Sequence, residues 1–298
     1  MINTVPNHLV VGARTGFLSA LSASPKQDWM RVAEVINLTA KSTTLVDLGA
    51  APMPTENIGR AQVQEFIEKT KTIAPRDWDI TVGISYNDVS DDQTGSLERK
   101  VRAAGANFQK HINSRVFTVL NAGDGQTYGA CYDGQDFFDS DHADKGAVYT
   151  TSQDNEGALT LSLDNFTTSR IAAMKFMDDQ GAYTEYTYDL LVVPPDLGHI
   201  AAQICNNPQS YDTANREMNP YSGRLSYIEA PQLDTTAAIL IASNEVVKPL
   251  LVGIREQPTL QSSWFDPNTA NGGMYFFKFY ARYEVHYGDW RLAYQINT

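Results

Sequence analysis

Cysteine is nearly missing from this sequence: Cys131 and Cys205 are the only two in 298 residues. Two thiols cannot frame a chain of this length with disulfides, so packing must hold the fold, and a reducing compartment is expected. Basic residues are scarce too, 23 Lys and Arg against 35 Asp and Glu, for a net charge of −12. A protein that grips nucleic acid along its phosphates needs the opposite balance, as does one that docks on anionic lipid. No apolar run reaches the roughly 18 residues of a membrane-spanning helix. Met1 to Val11 has neither the basic start nor the apolar stretch of a signal peptide. A soluble chain made in the cytoplasm is expected, with no internal repeats and no low-complexity tracts.

What is present is apolar matter and a localised charge. Hydrophobic residues make up 42% of the chain, with 4 Trp, 15 Tyr and 12 Phe, enough to bury one large core or two modest ones. Residues 121–164 hold nine acids (Asp124, Asp133, Asp136, Asp139, Asp141, Asp144, Asp154, Glu156, Asp164) and one base, Lys145. That one segment carries two-thirds of the net charge.

The first 40 residues read as an arm followed by a helix capped by Asp28, with Trp29, Val32, Val35 and Ile36 on one face. Residues 41–61 are rich in Pro, Gly and small residues, with a short strand near Thr44–Leu48. Two strands follow at 62–73 and 77–87, separated by the turn Ala74-Pro75-Arg76-Asp77. In the second, Trp78, Ile80, Val82, Ile84 and Tyr86 alternate with polar or small residues, the period of a half-buried strand. Residues 41–88 thus form an extended hairpin with little core of its own, and such a hairpin must lie on something.

A helix is predicted over 90–120, about 45 Å long at 1.5 Å per residue. Ser90 and Gln93 make its capping box, and Leu97, Val101, Ala104, Phe108, Ile112, Val116 and Val119 make its apolar stripe. Such length suits a structural beam. The acidic segment reads as loops and short strands, then a helix over 165–179 marked by Ile171, Met174 and Met177. Tyr188–Val193 is a strand running into Pro194-Pro195 and a helix whose buried face holds Leu197, Ile200, Ala201 and Ile204. Strands are predicted at 223–230, 237–242 and 249–256, then a long alternating strand at 274–287 with 290–296 as its return partner.

The residues offer little catalytic chemistry. Asp139, Asp141 and His142, in the loop Tyr132 to Asp144, could hold a divalent cation, and a metal-dependent hydrolase built on the Asp/His loop 133–144 is one alternative. The calcium-loop spacing fails, because Ala143 takes the fifth ligand position and Gly146 comes two residues late. A zinc site would want more His or Cys than His142 and Cys131. The competing reading is a solvated, turn-rich loop pinned by Phe137 and Phe138. Gly123 to Gly129 has one residue too many for a dinucleotide fingerprint and follows a helix. No nucleophile elbow or phosphate-binding Gly-Lys-Ser/Thr motif occurs. His8, His111, His199 and His286 are scattered over the arm, helix and strand positions and read as structural. The sequence assigns no catalytic, cofactor-binding or metal-binding residue, and no cofactor.

Four patches carry a resemblance. Trp78-Asp-Ile-Thr-Val-Gly-Ile-Ser-Tyr-Asn-Asp-Val-Ser-Asp-Asp-Gln-Thr-Gly95 is similar to a strand running into an Asp-Asp-Gln helix start. Tyr132-Asp-Gly-Gln-Asp-Phe-Phe-Asp-Ser-Asp-His142 is similar to a Tyr-Asp-Gly-x-x-Phe-Phe-x-x-x-His signature. Leu190-Leu-Val-Val-Pro-Pro-Asp-Leu197 and Asn219-Pro-Tyr-Ser-Gly-Arg-Leu-Ser226 supply a strand–Pro-Pro–helix and a Gly-Arg-Leu strand entry. Together they resemble the Mu-type major head subunits of tailed bacteriophages; Ala230-Pro231 stands where that family usually has a Ser-Pro-type turn.

The resemblance implies an α+β fold of the tailed-phage major capsid type. Its expected parts are an N-terminal arm (1–40), an extended hairpin loop (41–88) lying on a neighbouring subunit, a peripheral domain with a long spine helix (89–183 and 248–298) and an axial domain (184–247). It implies a self-assembling icosahedral shell of hexamers and pentamers, enclosing double-stranded DNA without sequence-specific binding, in the virion, after assembly in the host cytoplasm. It further implies a separate scaffold protein, a portal and decoration proteins as partners, and no enzyme activity. An encapsulin-like nanocompartment shell is the alternative nearest to it. Some relatives weld subunits through Lys and Asn side chains; Lys69 and Lys71 lie in the corresponding region, without a nearby acid catalyst in the sequence. An inward-facing acidic segment would repel packaged DNA, whereas one facing outward or between subunits would serve solubility or assembly.

Overall fold

The computed structural model of the chain describes residues 28–48, 68–85, 96–143, 151–209, 218–265 and 274–297, together with Thr15, Gly16 and Ser19. Its longest helix, α1 (Ser96–Asn121), has 26 residues and so spans about 39 Å. The predicted stripe is its buried face: Ala104, Phe108, Ile112, Val116 and Val119 are at most 7% exposed. The capping box Ser90/Gln93 and the side chains of Leu97 and Val101 lie outside the described residues. At its end, Gly123 accepts close packing that no other residue would allow, since a Cβ there would sit 2.5 Å from the Phe138 ring.

The helix lies against a four-stranded sheet ordered β1–β9–β10–β4. Its strands are β1 (Ala33–Asn37), β4 (Arg76–Ser85), β9 (Leu250–Phe265) and β10 (Met274–Tyr287). The aromatic strand β10 runs antiparallel to both β4 and β9, while β1 joins β9 in parallel. Its alternation places Tyr275, Phe277, Phe279, Ala281 and Tyr283 inside. The Tyr287 hydroxyl lies 3.0 Å from the Val119 carbonyl and 2.9 Å from that of Ala122, at the C-terminal end of α1 where carbonyls lack intrahelical partners.

A second, five-stranded sheet has the order β5–β11–β8–β6–β7. It contains β5 (Glu156–Ala158), β6 (Leu190–Val193), β7 (Ser226–Glu229), β8 (Ala238–Ile241) and β11 (Ala293–Asn297). Every residue of β6 and β8 is fully buried, the unbroken apolar run expected of strands covered on both faces. Two helices pack on this sheet, α2 (Leu163–Ala173) against β11 and α3 (Gly198–Asn206) against β6 and β7. Ser162 caps α2, accepting from the Asn165 amide at 3.2 Å. A two-stranded hairpin, β2 (Thr43–Leu48) with β3 (Glu68–Ile73), forms a sheet by itself. Among the described residues no helix is long and apolar enough to cross a membrane.

Four expectations are corrected. The helix predicted from Asp28 is a 3-10 turn, Asp28–Arg31, followed by β1; the β-branched pair Val35 and Ile36 suits the strand, and a parallel register on β9 (Ala33 opposite Leu250) is available to it. The strands predicted at 62–73 and 77–87 do not pair with each other. β3 carries Glu, Lys and Thr and returns to β2, whereas the alternating apolar side of β4 matches β10. Nor does 290–296 return onto β10, whose two edges are already taken by β4 and β9. A 3-10 turn at Trp290–Leu292 sends β11 instead between β5 and β8, where its buried Ala293, Tyr294, Gln295 and Ile296 are covered. The helix predicted over 165–179 is α2, which ends at Ala173; its inward residues are Phe166, Ser169 and Ala173, while Ile171 is 49% exposed and Met174, just past its end, 42%.

The two larger sheets each draw strands from more than one of the expected segments. β4, within 41–88, belongs to the four-stranded sheet, and β5 and β11, from 89–183 and 248–298, complete the sheet of β6, β7 and β8.

Candidate functional site

The Asp/His loop is a docking device. Phe137 and Phe138 are buried, and the Phe137 ring stacks on Tyr287 at 4.9 Å. His142 is fully buried, lies flat on Trp290 at 4.1 Å, and its Nδ1 is 2.6 Å from the Asp133 carboxylate. Two carboxylates brace turns: Asp139 accepts from the Asp141 amide, and Asp133 also accepts from the Gln135 amide. Asn155 ties the loop to the second sheet, accepting from the Asp139 amide at 3.0 Å and donating to the Phe137 carbonyl at 2.9 Å, with the carbonyls of Trp290 and Ala293 at 3.4 and 3.5 Å. Asp141 is exposed while His142 points inward to Asp133, so the trio Asp139, Asp141 and His142 is not brought together, and Asp144 lies outside the described residues. Among the described residues no three His, Cys, Asp or Glu side chains converge as a metal site.

The other titratable groups are likewise built into packing. His111 Nδ1 is 2.5 Å from the Tyr283 hydroxyl, and its ring meets Trp78 at 4.4 Å; burial and then Arg115 hold its pKa below the usual value. Glu284, buried on β10, takes Arg115 of α1 at 2.9 Å and Arg76 of β4 at 3.1 Å, locking helix to sheet. Burial, with Lys71 nearby, pushes His286 down to about 4. His199 is exposed and His8 lies outside the described residues. Both cysteines are free and buried; burial pushes Cys131 up to about 12 and Cys205 up to about 11, far from a reactive thiolate. Glu156 is raised by burial and then by Asp124, Asp154 and Asp139, which marks a shared acidic surface on the 121–164 segment.

The hairpin β2–β3 shares no ladder with either larger sheet and is held at its root. Ile73 is fully buried against β9 at Gly253, where a Cβ would come within 2.8 Å of the Ile73 side chain and 2.9 Å of Leu38. Lys71 reaches inward, donating to the Tyr287 carbonyl at 2.6 Å, and burial lowers its pKa. Its ammonium is thus spent within its own subunit; the Lys69 side chain lies outside the described residues. Beneath the root is a cleft of about 220 Å³, with Ile36, Leu45, Val247 and Leu251 as apolar walls and Lys71 and Asp289 among its polar groups.

Beside that cleft the turn joining β8 to β9 is braced from both ends. The Asp189 carboxylate accepts from the Ser243 amide (2.6 Å), the Ser243 hydroxyl (2.7 Å) and the Asn244 side chain (3.0 Å). Lys248 Nζ donates to the carbonyls of Ser243 and Glu245. The strands predicted at 237–242 and 249–256 leave 243–248 as their connection, but nothing in the residues announces the brace from Asp189 or the exposure of Val246.

Comparison with known proteins agrees with this architecture. The family model described as Mu-like prophage major head subunit gpT matches residues 7–160, just over half of the chain. The Mu-like prophage FluMu major head subunit of Haemophilus influenzae is 31% identical over 163 residues, 54% of this chain and 52% of that protein. The major capsid protein of Escherichia phage Mu is 31% identical over 134 residues, 45% of this chain and 43% of that protein. The chain thus aligns with about half the length of the curated relatives it matches. Among solved structures, the procapsid of bacteriophage JBD30 matches 99% of this chain and 76% of its own, with 23% identity and a TM-score of 0.54. The fold is that of tailed-phage major capsid proteins, and the chain belongs to the Mu-like prophage major head subunit gpT family.

Proposed function

We propose that this chain is a major capsid protein, a non-enzymatic subunit that assembles with copies of itself into the icosahedral shell of a tailed-phage head. One observation carries the reading beyond family membership: β2–β3 is a two-stranded sheet that shares no ladder with the larger sheets, rooted on the body near Ile73, Lys71 and Leu45 among the described residues. Such a hairpin is marginal in water, and a neighbouring subunit supplies the surface it lacks. Residues 1–40 then act as the arm, 41–88 as the extended loop, whose hairpin β2–β3 crosses to the neighbour while β4 stays in its own subunit's sheet, 89–183 and 248–298 as the peripheral part and 184–247 as the axial part. Hexamers and pentamers follow from closed repetition of the same contacts. Double-stranded DNA is enclosed and not gripped, consistent with a net charge of −12 and the shared acidic surface around Glu156. Scaffold, portal and decoration proteins are the expected partners. Negative-stain microscopy of the chain, alone and co-produced with its adjacent head genes, tests the reading: closed shells are expected, and material that stays monomeric in both preparations contradicts it.

A further inference from the structure

Two features meet at the hairpin root. The first is the braced turn 243–248, which displays Val246 at 92% exposure and Val247 at 45%. Three hydrogen bonds to Asp189 and two from Lys248 fix this turn, so a branched apolar side chain is held rigidly in water. Single exposed valines are ordinary on protein surfaces. One fixed in this way has already lost the freedom that binding would otherwise cost. The second feature is the cleft, of which Val247 itself forms one wall beside Ile36, Leu45 and Leu251. The knob at Val246 is thus the chain neighbour of a residue that walls the cleft beneath the hairpin.

We propose that Val246, with the cleft beside it, is a contact site for a second copy of this chain, namely the copy on which the hairpin lies. This rests on the capsid reading. A hairpin that leaves its own body at the cleft margin and lies on a neighbour brings that neighbour against the same margin, so the site continues the contact made by the hairpin. The surfaces that meet differ on the two copies, which makes the contact heterologous and repeatable around a ring. Val246 serves as the apolar anchor, and Lys71 and Asp289 are among the polar groups of the cleft beside it.

The test is thiol accessibility in shells. Val246→Cys places a thiol at the knob while Cys131 and Cys205 remain buried. The variant is produced with its head genes, and shells are separated from free subunits by sedimentation. The expected result is at least tenfold slower reaction with a charged maleimide in shells than in free subunits. Equal rates in intact shells overturn the site and leave the capsid reading standing; a failure of the wild-type chain to form shells removes both. As a second arm, Val246→Asp is expected to melt like wild type, its side chain being solvent-facing, and to lower shell yield at least tenfold. A wild-type yield from Val246→Asp also overturns the proposal.

Discussion

Gly253→Ala tests how the hairpin is seated. The added methyl would lie 2.8 Å from Ile73 Cγ2 and 2.9 Å from Leu38 Cδ1, closer than carbon atoms tolerate. Overpacking of this kind costs about 1–3 kcal/mol, and replacing a mid-strand glycine returns roughly 0.5–1 kcal/mol of backbone entropy. The net expected loss is about 1–2 kcal/mol. Ile73→Ala alone should cost about 2–5 kcal/mol, because the side chain is fully buried. In the double variant the contact with Ile73 Cγ2 is gone and the terminal Leu38 Cδ1 has vacated space to swing into, so the Gly253→Ala penalty should nearly vanish, a coupling of about 1–2 kcal/mol. Urea unfolding of the unassembled subunit measures all three, and hydrogen exchange should show the hairpin amides of 43–48 and 68–73 losing protection first. Additivity of the two changes within about 0.5 kcal/mol would refute the proposed seating of Ile73 on Gly253.

Three further outcomes are expected. Asn155→Ala removes the acceptor for Asp139, in a partly buried setting, and the donor to Phe137, in a buried one, and should cost about 2–3 kcal/mol in thermal or urea unfolding; a loss below 0.5 kcal/mol would contradict its role as the tie between loop and sheet. His286 is held near 4 when folded, so between roughly pH 6.5 and 4 the unfolded chain binds the extra proton and stability falls as pH falls. The full effect is up to about 3 kcal/mol, and His286→Gln should flatten that part of the stability–pH curve. Finally, Cys131 and Cys205 should resist thiol reagents at pH 8 in the native subunit and react fully once urea unfolds it, with titration by a chromogenic disulfide as the measure.

Periodicity made some elements legible and left their partners hidden. The strand predicted at 274–287 coincides with β10, because fourteen residues of alternation, flanked by turn residues, admit no other reading. The stripe of α1 was equally plain. An alternating strand, however, declares its faces and not its edges. Nothing in Tyr294 or Ile296 says that β10 is already flanked, or that the turn at Trp290 redirects the chain into another sheet. The same limit produced the false pairing of 62–73 with 77–87, where proximity along the chain stood in for complementarity. In the Asp/His loop, residue types suggested metal, but one buried Asp133–His142 pair stacked on Trp290 decided otherwise, and Trp290 is 148 residues from His142. The hairpin's need for a surface was visible from its lack of core. The Val246 knob was not, because exposure depends on how Asp189 and Lys248 hold the turn.

The central claim is that the β2–β3 hairpin crosses to a neighbouring subunit of the shell, and electron cryomicroscopy of shells formed by this chain is the most direct measurement. Density for residues 43–48 and 68–73 should leave its own subunit at Ile73 and lie on the adjacent copy, with Val246 covered. Shells in which the hairpin folds back on its own subunit, or preparations with no shells at all, would contradict the account.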